Sequence, residues 1–415
     1  MMEGNIGWKY NKAYFYNLRG DTANGDLLKE QNDELLEAIY DNSSLKQLLK
    51  VWENVIKTDE HIFQVELTTS YPGLITGIGV NHQTTLKWMM DDKNEEGGKP
   101  VQIPEFKLGI TFDHTTGLPI IPGSSIKGVL RSFFPVMNQS KFCDCYEEKL
   151  NYIAAILHKV YQLVSCLKNE EAEKQRLRKD LLISRSGMYT VQSKDELLSQ
   201  FKEECLEEIY NMSGISNDEL DAMTSEQALT IAAEKRLEKY ETETVESFFQ
   251  SYNRKGRNEL SNEVERLFNN EINIILERSL EDEKINDEEK LKASCLALEM
   301  FEGKIDGEFI PIYQRDTFFE AIPISGDGKA NGELFAKDFI TPHKKLFKDP
   351  EPICFMKIRS NVKFRFYFSL HDGVVSKEEK LMLIKYLLYK NGLGAKTNVG
   401  YGQFNFSEKE MLKII

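Results

Sequence analysis

Alternating hydrophobic and polar residues predict two strands that are far apart in the chain. Residues 62–69, Ile-Phe-Gln-Val-Glu-Leu-Thr-Thr, alternate as expected for a strand with one buried face. In residues 361–369 one predicted face is apolar and the other is cationic and aromatic: Val362, Phe364, Phe366 and Phe368 against Lys363, Arg365 and Tyr367. A cationic and aromatic face can stack bases and hold phosphates, although a half-exposed antiparallel strand gives the same pattern more often.

Three- and four-residue spacing of apolar positions predicts helices on either side of these strands. One is expected within residues 27–57, and another begins near Ser124 or Ser125, either of which could be the N-cap. Ser376-Lys-Glu-Glu379 is a capping box, and Asn391-Gly392 ends the helix that it opens. Further strands are predicted at 318–324, 333–340 and 403–406.

Residues 141–300 differ from the rest in pattern and in charge. They are rich in amphipathic helical segments, and no proline occurs between Pro135 and Pro311. They hold 22 Lys and Arg against 34 Asp and Glu, a net of −12, so most of the chain's net charge of −14 lies here. We therefore expect an acidic helical insertion, and the overall acidity does not exclude nucleic-acid binding by the remainder.

Without the insertion, the order of elements is strand, helix, strands, helix, strand. This order predicts an α+β fold with a ferredoxin-like (RRM-like) core. The predicted organisation is an N-terminal helical segment (1–58), a core (59–140 and 301–415) and the insertion (141–300).

Four glycines lie within Gly392–Gly402, a segment that we call the glycine loop. Its glycines allow positive φ and close approach to a ligand, while Lys396, Thr397 and Tyr401 supply a cation, a hydroxyl and an aromatic ring. Ala395 precedes the lysine and a strand follows, so the loop is not a nucleotide-binding P-loop. A hairpin without a ligand remains the alternative.

A second candidate site lies at the predicted helix that follows Pro122-Gly123. Lys127 and Arg131 are four residues apart, so they share a face above the free amides of the helix N-terminus. An ordinary capped helix with two solvated cations is the alternative. We expect the fold to bring this helix start and the glycine loop together as two halves of one site.

Signals for catalysis or metal binding are weak. The possible acid–base pairs are Asp113 with His114 and Asp338 with His343. Cys143-Asp-Cys145 has no second pair at zinc-site spacing. We therefore expect no catalytic residue, no metal and no cofactor.

Six cysteines in 415 residues suggest reduced thiols, and no apolar run reaches the length of a membrane span. The start of the chain also lacks the pattern of a signal peptide. We expect a cytoplasmic protein that does not bind membranes.

Four segments in register resemble the RAMP superfamily of CRISPR systems, and within it the family of the sixth subunit of the type III-B Cmr effector complex. They are Tyr71–Gly79, Phe106–Arg131, Phe318–Ile324 with Asp338–His343, and Gly392–Gly402. The resemblance covers roughly residues 60–135 and 300–407, and nothing carries over to the insertion.

The resemblance implies a RAMP core that binds guide RNA (crRNA) towards its 3′ end and lies near target RNA. It also implies contacts with the backbone RAMP subunit, the small helical subunit and the two-domain head RAMP. The family's RNA contacts map onto Gly123, Ser124, Ser125, Lys127 and Arg131, and onto Gly394, Lys396, Thr397, Gly400 and Tyr401. Because related RAMP proteins include ribonucleases, an endoribonuclease that processes guide RNA or cleaves target RNA is the alternative function.

Overall fold

A computed structural model gives the fold, and its description covers most of the chain. The described residues are 7, 10, 25–37, 45–76, 88–89, 102–103, 110–113, 116–135, 137–138, 141–142, 145–187, 193–213, 226–283, 285–328, 332–340, 353–405 and 412. The chain divides into two compact units, Met1–Tyr161 with Leu280–Ile415, and Gln162–Ser279. We call the first the core unit and the second the helical unit.

The architecture is helix-rich α+β. The α-helices are α1 (Gly25–Leu36), α2 (Leu45–Thr58), α3 (Gly123–Phe133), α4 (Tyr146–Lys168), α5 (Glu170–Ser186), α6 (Lys194–Ser213), α7 (Glu226–Ser251), α8 (Arg254–Glu277), α9 (Asp287–Ala297) and α10 (Lys377–Asn391). A π-helix spans Leu298–Glu302, and 3-10 turns span Leu280–Asp282, Ile312–Gln314 and Thr397–Val399.

The strands are β1 (Ile62–Thr69), β2 (Trp88–Met89), β3 (Gln102–Ile103), β4 (Met137–Asn138), β5 (Lys141–Phe142), β6 (Lys304–Ile305), β7 (Glu308–Phe309), β8 (Thr317–Phe318), β9 (Ile322–Ser325), β10 (Phe335–Ile340), β11 (Ile353–Ile358), β12 (Lys363–Ser369) and β13 (Phe404–Asn405). The main sheet is antiparallel in the order β13-β1-β12-β8, and β9 also pairs with β12. The predicted strand at 318–324 is thus two short strands with a break between them. β10 and β11 form a separate hairpin.

The face of β12 that the sequence predicts to be apolar is buried completely. Phe364, Phe366 and Phe368 are each 0% exposed, which confirms the predicted alternation. Helices α3 and α10 pack beside this part of the sheet. The long aromatic side chains bury a large apolar area at this position, so the sheet and the two helices share one hydrophobic core.

Helix α2 covers the other face of β12. The ring of Trp52 stacks on Tyr367 with centroids 4.2 Å apart, and Tyr367 is only 1% exposed. Arg365 donates to Glu66 on β1 at 2.6 Å, and Lys363 lies 3.5 Å from the same carboxylate. The possibility that this face stacks RNA bases is therefore wrong, because the ring and both cations already have partners inside the protein.

Helix α10 is buried along most of its length. Its N-terminus has the predicted capping box, in which Ser376 and Glu379 exchange side-chain to backbone hydrogen bonds, and Gly392 follows its last residue. Residues 380–388 are all buried, because α4 packs against α10 as well. On that side the Lys159 ammonium lies 5.5 Å from the Tyr386 ring.

A buried ion cluster fixes the first turn of α10. The Lys380 ammonium is 0% exposed and donates to Glu299 at 2.6 Å, to Asp316 at 2.8 Å and to the His371 carbonyl at 2.7 Å. Both carboxylates are almost fully buried. Since an unpaired buried charge is costly, this cluster joins the π-helix, the start of β8 and α10 in a single arrangement.

The helical unit has a small hydrophobic core of its own between α6 and α7, made of Leu197, Phe201, Ala233 and Leu237. Residues 145–161 and 280–300, which the sequence analysis assigns to the insertion, belong to the core unit. Their side chains explain this, because Tyr152 on α4 contacts Asn391 and Glu299 belongs to the buried ion cluster. In the part of the chain that the structure describes, no helix is long and apolar enough to cross a membrane.

Replacing Lys380 with Ala should destabilise the protein strongly. The change leaves the Glu299 and Asp316 carboxylates buried without their cation, so the free energy of unfolding should fall by about 3–5 kcal/mol. Urea unfolding followed by circular dichroism measures this loss. Lys377→Ala is the matched control on the same helix, because its ammonium pairs with the exposed Glu60 and should contribute less than about 1 kcal/mol. Equal losses in the two variants would contradict the role of the cluster.

Candidate nucleic-acid interface

The inner side of the glycine loop is fixed by backbone hydrogen bonds. Leu393 N–H donates to the Gly402 carbonyl at 2.9 Å, and Gly402 N–H donates to Gly73 at 2.8 Å. Ala395 N–H donates to the Ile75 carbonyl at 3.1 Å. The loop therefore docks on the segment that follows β1, and the chain itself supplies the hydrogen bonds that hold its inner side.

The outer side of the loop presents a lysine in a strained conformation. Lys396 has φ 61°, a left-handed value that costs a non-glycine residue roughly 1–2 kcal/mol. Its side chain is exposed and has no hydrogen-bond or ion-pair partner among the described residues. Gly394 and Gly400 flank it with φ of 98° and 94°. The loop thus exposes a cation at a position where glycine would be more stable.

Tyr401 ties the loop to the β10–β11 hairpin. Its hydroxyl donates to Asp338 Oδ2 at 2.6 Å, and the Lys357 ammonium lies 2.5 Å from the same oxygen and 5.4 Å from the centre of the tyrosine ring. Burial and then the Asp338 carboxylate raise the pKa of Tyr401 to about 12. Burial also opposes ionisation of Asp338, but the hydrogen bonds from Lys357 and Tyr401 outweigh it and lower the pKa of that carboxyl. Tyr401 thus anchors the loop, although its ring remains partly accessible.

Further aromatic and cationic residues lie around the loop. Tyr71 is 86% exposed and precedes Pro72, which lies beside Gly400. On the hairpin, Phe339 is 50% exposed and the Lys337 ammonium lies 5.3 Å from its ring. Tyr71, Lys396 and Tyr401 form what we call the glycine-loop surface, whereas Lys337 and Phe339 lie on the opposite face of the hairpin from Asp338. Rings and cations in this mixture can stack bases and bind phosphates.

The predicted cap at the helix start is wrong. Pro122 is the N-cap of α3, and no side chain caps the helix, so Ser124 and Ser125 lie exposed in its first turn. Pro122 takes the N-cap position because it directly follows the antiparallel β-bridge between Ile121 and Ala321, and its extended backbone connects that bridge to the helix. Gly123 packs so closely against β8 that a side chain does not fit, since a Cβ there would lie 2.0 Å from the Phe318 carbonyl oxygen. Its small size serves packing against β8.

Lys127 and Arg131 lie on one face of α3, but both already have contacts within the protein. The Lys127 ammonium is 5.9 Å from the Phe318 ring, and burial, followed by Arg131, lowers its pKa. Arg131 pairs with Glu302 at 3.3 Å and keeps 47% of its side chain exposed. Both remain cations that a phosphate could approach from solvent.

An exposed hairpin next to α3 was not identified from the sequence. Residues 304–309 form it around an Asp306-Gly307 turn with φ of 51° and 85°, a hairpin signal that the sequence does contain. Phe309 is 69% exposed, between the Lys304 ammonium at 4.9 Å and the Arg315 guanidinium at 5.7 Å. Tyr313 is 77% exposed. These residues, with Lys127 and Arg131, form the helix-start surface.

The two candidate surfaces do not form one site, which corrects the expectation from the sequence. Lys127 is close enough to Asp316 for the carboxylate to act on its pKa, and Asp316 accepts a hydrogen bond from Lys380 in the first turn of α10. The helix-start surface therefore lies near the beginning of α10. The glycine loop follows the opposite end of the same helix, at Gly392. Twelve helical residues separate Lys380 from Gly392, which corresponds to about 18 Å. The strand order places the two surfaces at opposite ends of the core.

The carboxylates considered for catalysis have structural partners. Asp113 Oδ2 accepts from the Thr116 N–H at 2.5 Å and from its hydroxyl at 2.7 Å, as in a capped turn. Asp338 is the anchor of Tyr401 described above. His114, His343 and Cys143 lie outside the described residues. Within the described ranges, no group of three or more His, Cys, Asp or Glu side chains could hold a metal ion.

The chain is similar to a known family and to solved structures. The RAMP superfamily matches residues 66–405, a range that includes both surfaces. A structure described as the type III-B Cmr-beta bound to cognate target RNA is 15% identical with a TM-score of 0.39, and the match covers 95% of this chain and 79% of that chain. Cmr6 from Pyrococcus furiosus is 17% identical with a TM-score of 0.28, covering 84% and 98%. No curated protein matches the chain.

Replacing Asp338 with Asn should lower the free energy of unfolding by about 1–2 kcal/mol at pH 7, because a charged acceptor is lost from two hydrogen bonds. The folded-state pKa of Asp338 is lowered, so its stabilisation is present above the unfolded-state value near 4 and is lost as the pH falls further. The difference between wild type and variant should therefore close below about pH 4. Urea unfolding at pH 3–7 measures it, with Glu320→Gln as control. A constant difference across this range would contradict the assignment.

Proposed function

Because the chain belongs to the RAMP superfamily, we propose that it is a non-catalytic RNA-binding subunit of a type III-B CRISPR (Cmr) effector complex in antiviral defence. It holds the guide RNA towards its 3′ end, close to target RNA. Its neighbours are the backbone RAMP subunit, the small helical subunit and the two-domain head RAMP. The motifs at Tyr71–Gly79, Phe106–Arg131 and Gly392–Gly402 support this choice within the superfamily.

The observation that carries the proposal is the conformation of the glycine loop. Its inner side is fixed by backbone hydrogen bonds, while Lys396 stands exposed in a left-handed conformation at its tip. A preformed loop loses little conformational entropy when it binds a strand. Lys396 supplies the charge for a phosphate, and Gly394, Thr397, Gly400 and Tyr401 supply close approach, a hydroxyl and a ring face.

The sheet order supports a ferredoxin-like core for this subunit. Taking β8 and β9 as one interrupted strand, the core runs β1, α3, β8/β9, β12, α10, β13, which is the βαββαβ order of that fold. The first and third strands are neighbours at the centre, and the last strand lies beside the first. The helical unit enters between α3 and β8 in this scheme.

The helix-start surface is a second contact for the same RNA. Gly123 and Lys127 pack on β8, so the accessible groups are Ser124, Ser125, Arg131 and the ammonium of Lys127. The two surfaces lie near opposite ends of α10, and an extended single strand of several nucleotides can run along the core from one surface to the other. Asp113 and Asp338 have structural hydrogen bonds, which favours binding over the ribonuclease alternative.

Replacing Lys396 with Gly should weaken binding of guide RNA to the assembled complex about three- to tenfold. Glycine keeps the left-handed backbone, so the change removes the side chain and its charge without disturbing the shape of the loop. Fluorescence anisotropy at several salt concentrations measures the affinity, and the salt slope should fall by about 0.7 for one lost contact to a single strand. Lys396→Arg should bind normally, and so should Lys390→Ala, an exposed lysine at the end of α10. Unchanged affinity in Lys396→Gly would remove the loop from the interface.

Arg131→Ala combined with Lys396→Gly should reduce the RNA affinity by the product of the two single effects. The two positions lie near opposite ends of α10, and distant sites contribute additively within about 0.5 kcal/mol. The same anisotropy titrations on wild type, both single variants and the double variant form a double-mutant cycle, which measures the coupling between the two positions. A larger coupling would mean that the two residues contact the same nucleotide, against the geometry described above.

A further inference from the structure

We propose that the helical unit carries a second binding site for single-stranded RNA, centred on Arg178, Phe249, Arg254 and Arg257. We call these residues the arginine–phenylalanine cluster. They come from three helices of the helical unit: α5, the end of α7 and the start of α8. None of its residues belongs to the glycine-loop surface or to the helix-start surface.

The cluster has the geometry of a cationic stacking site. The Arg257 guanidinium lies 5.0 Å from the centre of the Phe249 ring, and the Arg178 guanidinium lies 6.0 Å from it. Arg254 is three residues before Arg257, so the two share a face in the first turn of α8. Arg254 and Arg257 are both exposed. Two guanidinium groups therefore lie beside one aromatic ring at the surface, and Arg254 adds a third cation in the same turn of α8 as Arg257.

The charges of the cluster are not balanced within the helical unit. Residues 162–279 hold 16 Lys and Arg against 24 Asp and Glu, so carboxylates are in excess. Other cations of the helical unit form ion pairs with these carboxylates: Arg176 pairs with Glu271 at 3.1 Å and Lys179 with Glu241 at 2.7 Å. Arg178, Arg254 and Arg257 pair with no carboxylate among the described residues. An acidic unit that leaves three neighbouring arginines unpaired keeps their charge for an external anion.

The position of the arginines adds to this argument. Arg254, Lys255 and Arg257 lie in or next to the first turn of α8, where the helix dipole disfavours cations. The cap there is already supplied by Asn253, whose side chain accepts from the Gly256 N–H at 2.8 Å. The arginines therefore have no role in capping, and their placement costs stability that an anion would restore.

The aromatic side chains select RNA over an acidic protein segment. Phe248 and Tyr252 are in edge contact at 5.5 Å beside Phe249, so three partly exposed rings alternate with the cations. Guanidinium groups bind phosphates with two hydrogen bonds, and both their planes and aromatic rings stack on bases. A carboxylate-rich peptide would use the charges and leave the rings without a partner.

This inference uses the ligand class of the proposed function but different residues, so the two can fail separately. The first experiment measures affinity of the full chain for a fluorescein-labelled 12-mer of oligo-uridine, with Arg254, Lys255 and Arg257 all changed to Gln. The matched control changes Lys202, Lys235 and Lys239 to Gln, which removes the same charge from the same unit. We expect about tenfold weaker binding in the first variant and a salt slope lower by about 2, for three lost phosphate contacts. The control should change the affinity less than twofold.

The second experiment locates the RNA directly. The same oligonucleotide with 4-thiouridine is crosslinked to the wild-type chain, and the crosslinked peptides are mapped by mass spectrometry. We expect crosslinks at Phe248, Phe249 or Tyr252, and we expect them to persist in Lys396→Gly. If Lys396→Gly loses crosslinks at the glycine loop but keeps them at the arginine–phenylalanine cluster, the two sites bind RNA independently.

Three results would overturn the proposal: unchanged affinity in the cluster variant, equal losses in cluster variant and control, or no crosslink in residues 245–257. A poly-glutamate 12-mer that competes as well as the RNA would assign the cluster to an acidic protein segment instead. Should Lys396→Gly bind RNA normally while the cluster variant does not, the glycine-loop assignment fails and the cluster stands.

Discussion

The core unit depends on a lysine that is completely removed from water. The Lys380 ammonium contacts Glu299, Asp316 and the His371 carbonyl, so the cost of burying its charge is offset only when all three groups are in place. The residues come from the π-helix, the start of β8 and the loop after β12. Their meeting fixes where α10 begins. The length and capping of that helix then fix where it ends, and the glycine loop starts at that point.

The second constraint is the packing of aromatic side chains on the two faces of β12. Phe364, Phe366 and Phe368 fill one face, and Trp52 closes the other by stacking on Tyr367. The aromatic rings of β12 are therefore occupied by packing and are not accessible for stacking on bases. The accessible cations and rings of the two candidate surfaces lie on α3, in loops and at hairpin positions at the ends of the core. The sheet thus acts as the scaffold that holds these elements in place.

Local patterns in the sequence predicted the elements well, and long-range contacts explain what they missed. The alternation in β12, the capping box at Ser376 and the glycine after α10 each depend on neighbouring residues, and all three are present. The partner of Trp52 is more than 300 positions away, so no local pattern showed that the cationic face of β12 is covered. A signal for the buried cluster did exist, because Lys380 shares a helical face with Ile384 and Leu387, where a charge needs a partner.

The separation of the two candidate surfaces also could not be read from the sequence. It depends on the register of β8 against β12 and on Gly123 packing at Phe318, which sets where α3 starts. Chain order alone allows the helix start to lie at either end of the sheet. The glycine loop, in contrast, was placed correctly beside the last strand, because Asn405 pairs with Thr68 directly after it.

The pairing of β1 with β12 has a consequence for how the protein is made. Thr69 bonds to Val362 across 293 positions of sequence, and the helical unit lies between them. At about 5–20 residues per second, a ribosome takes roughly 15–60 s to supply the partner of β1 after β1 itself has emerged. During that time the edges of β1 are exposed to other chains, while the helical unit can already form its local contacts. The order of synthesis thus makes β1 the segment that most needs protection from aggregation before the core closes.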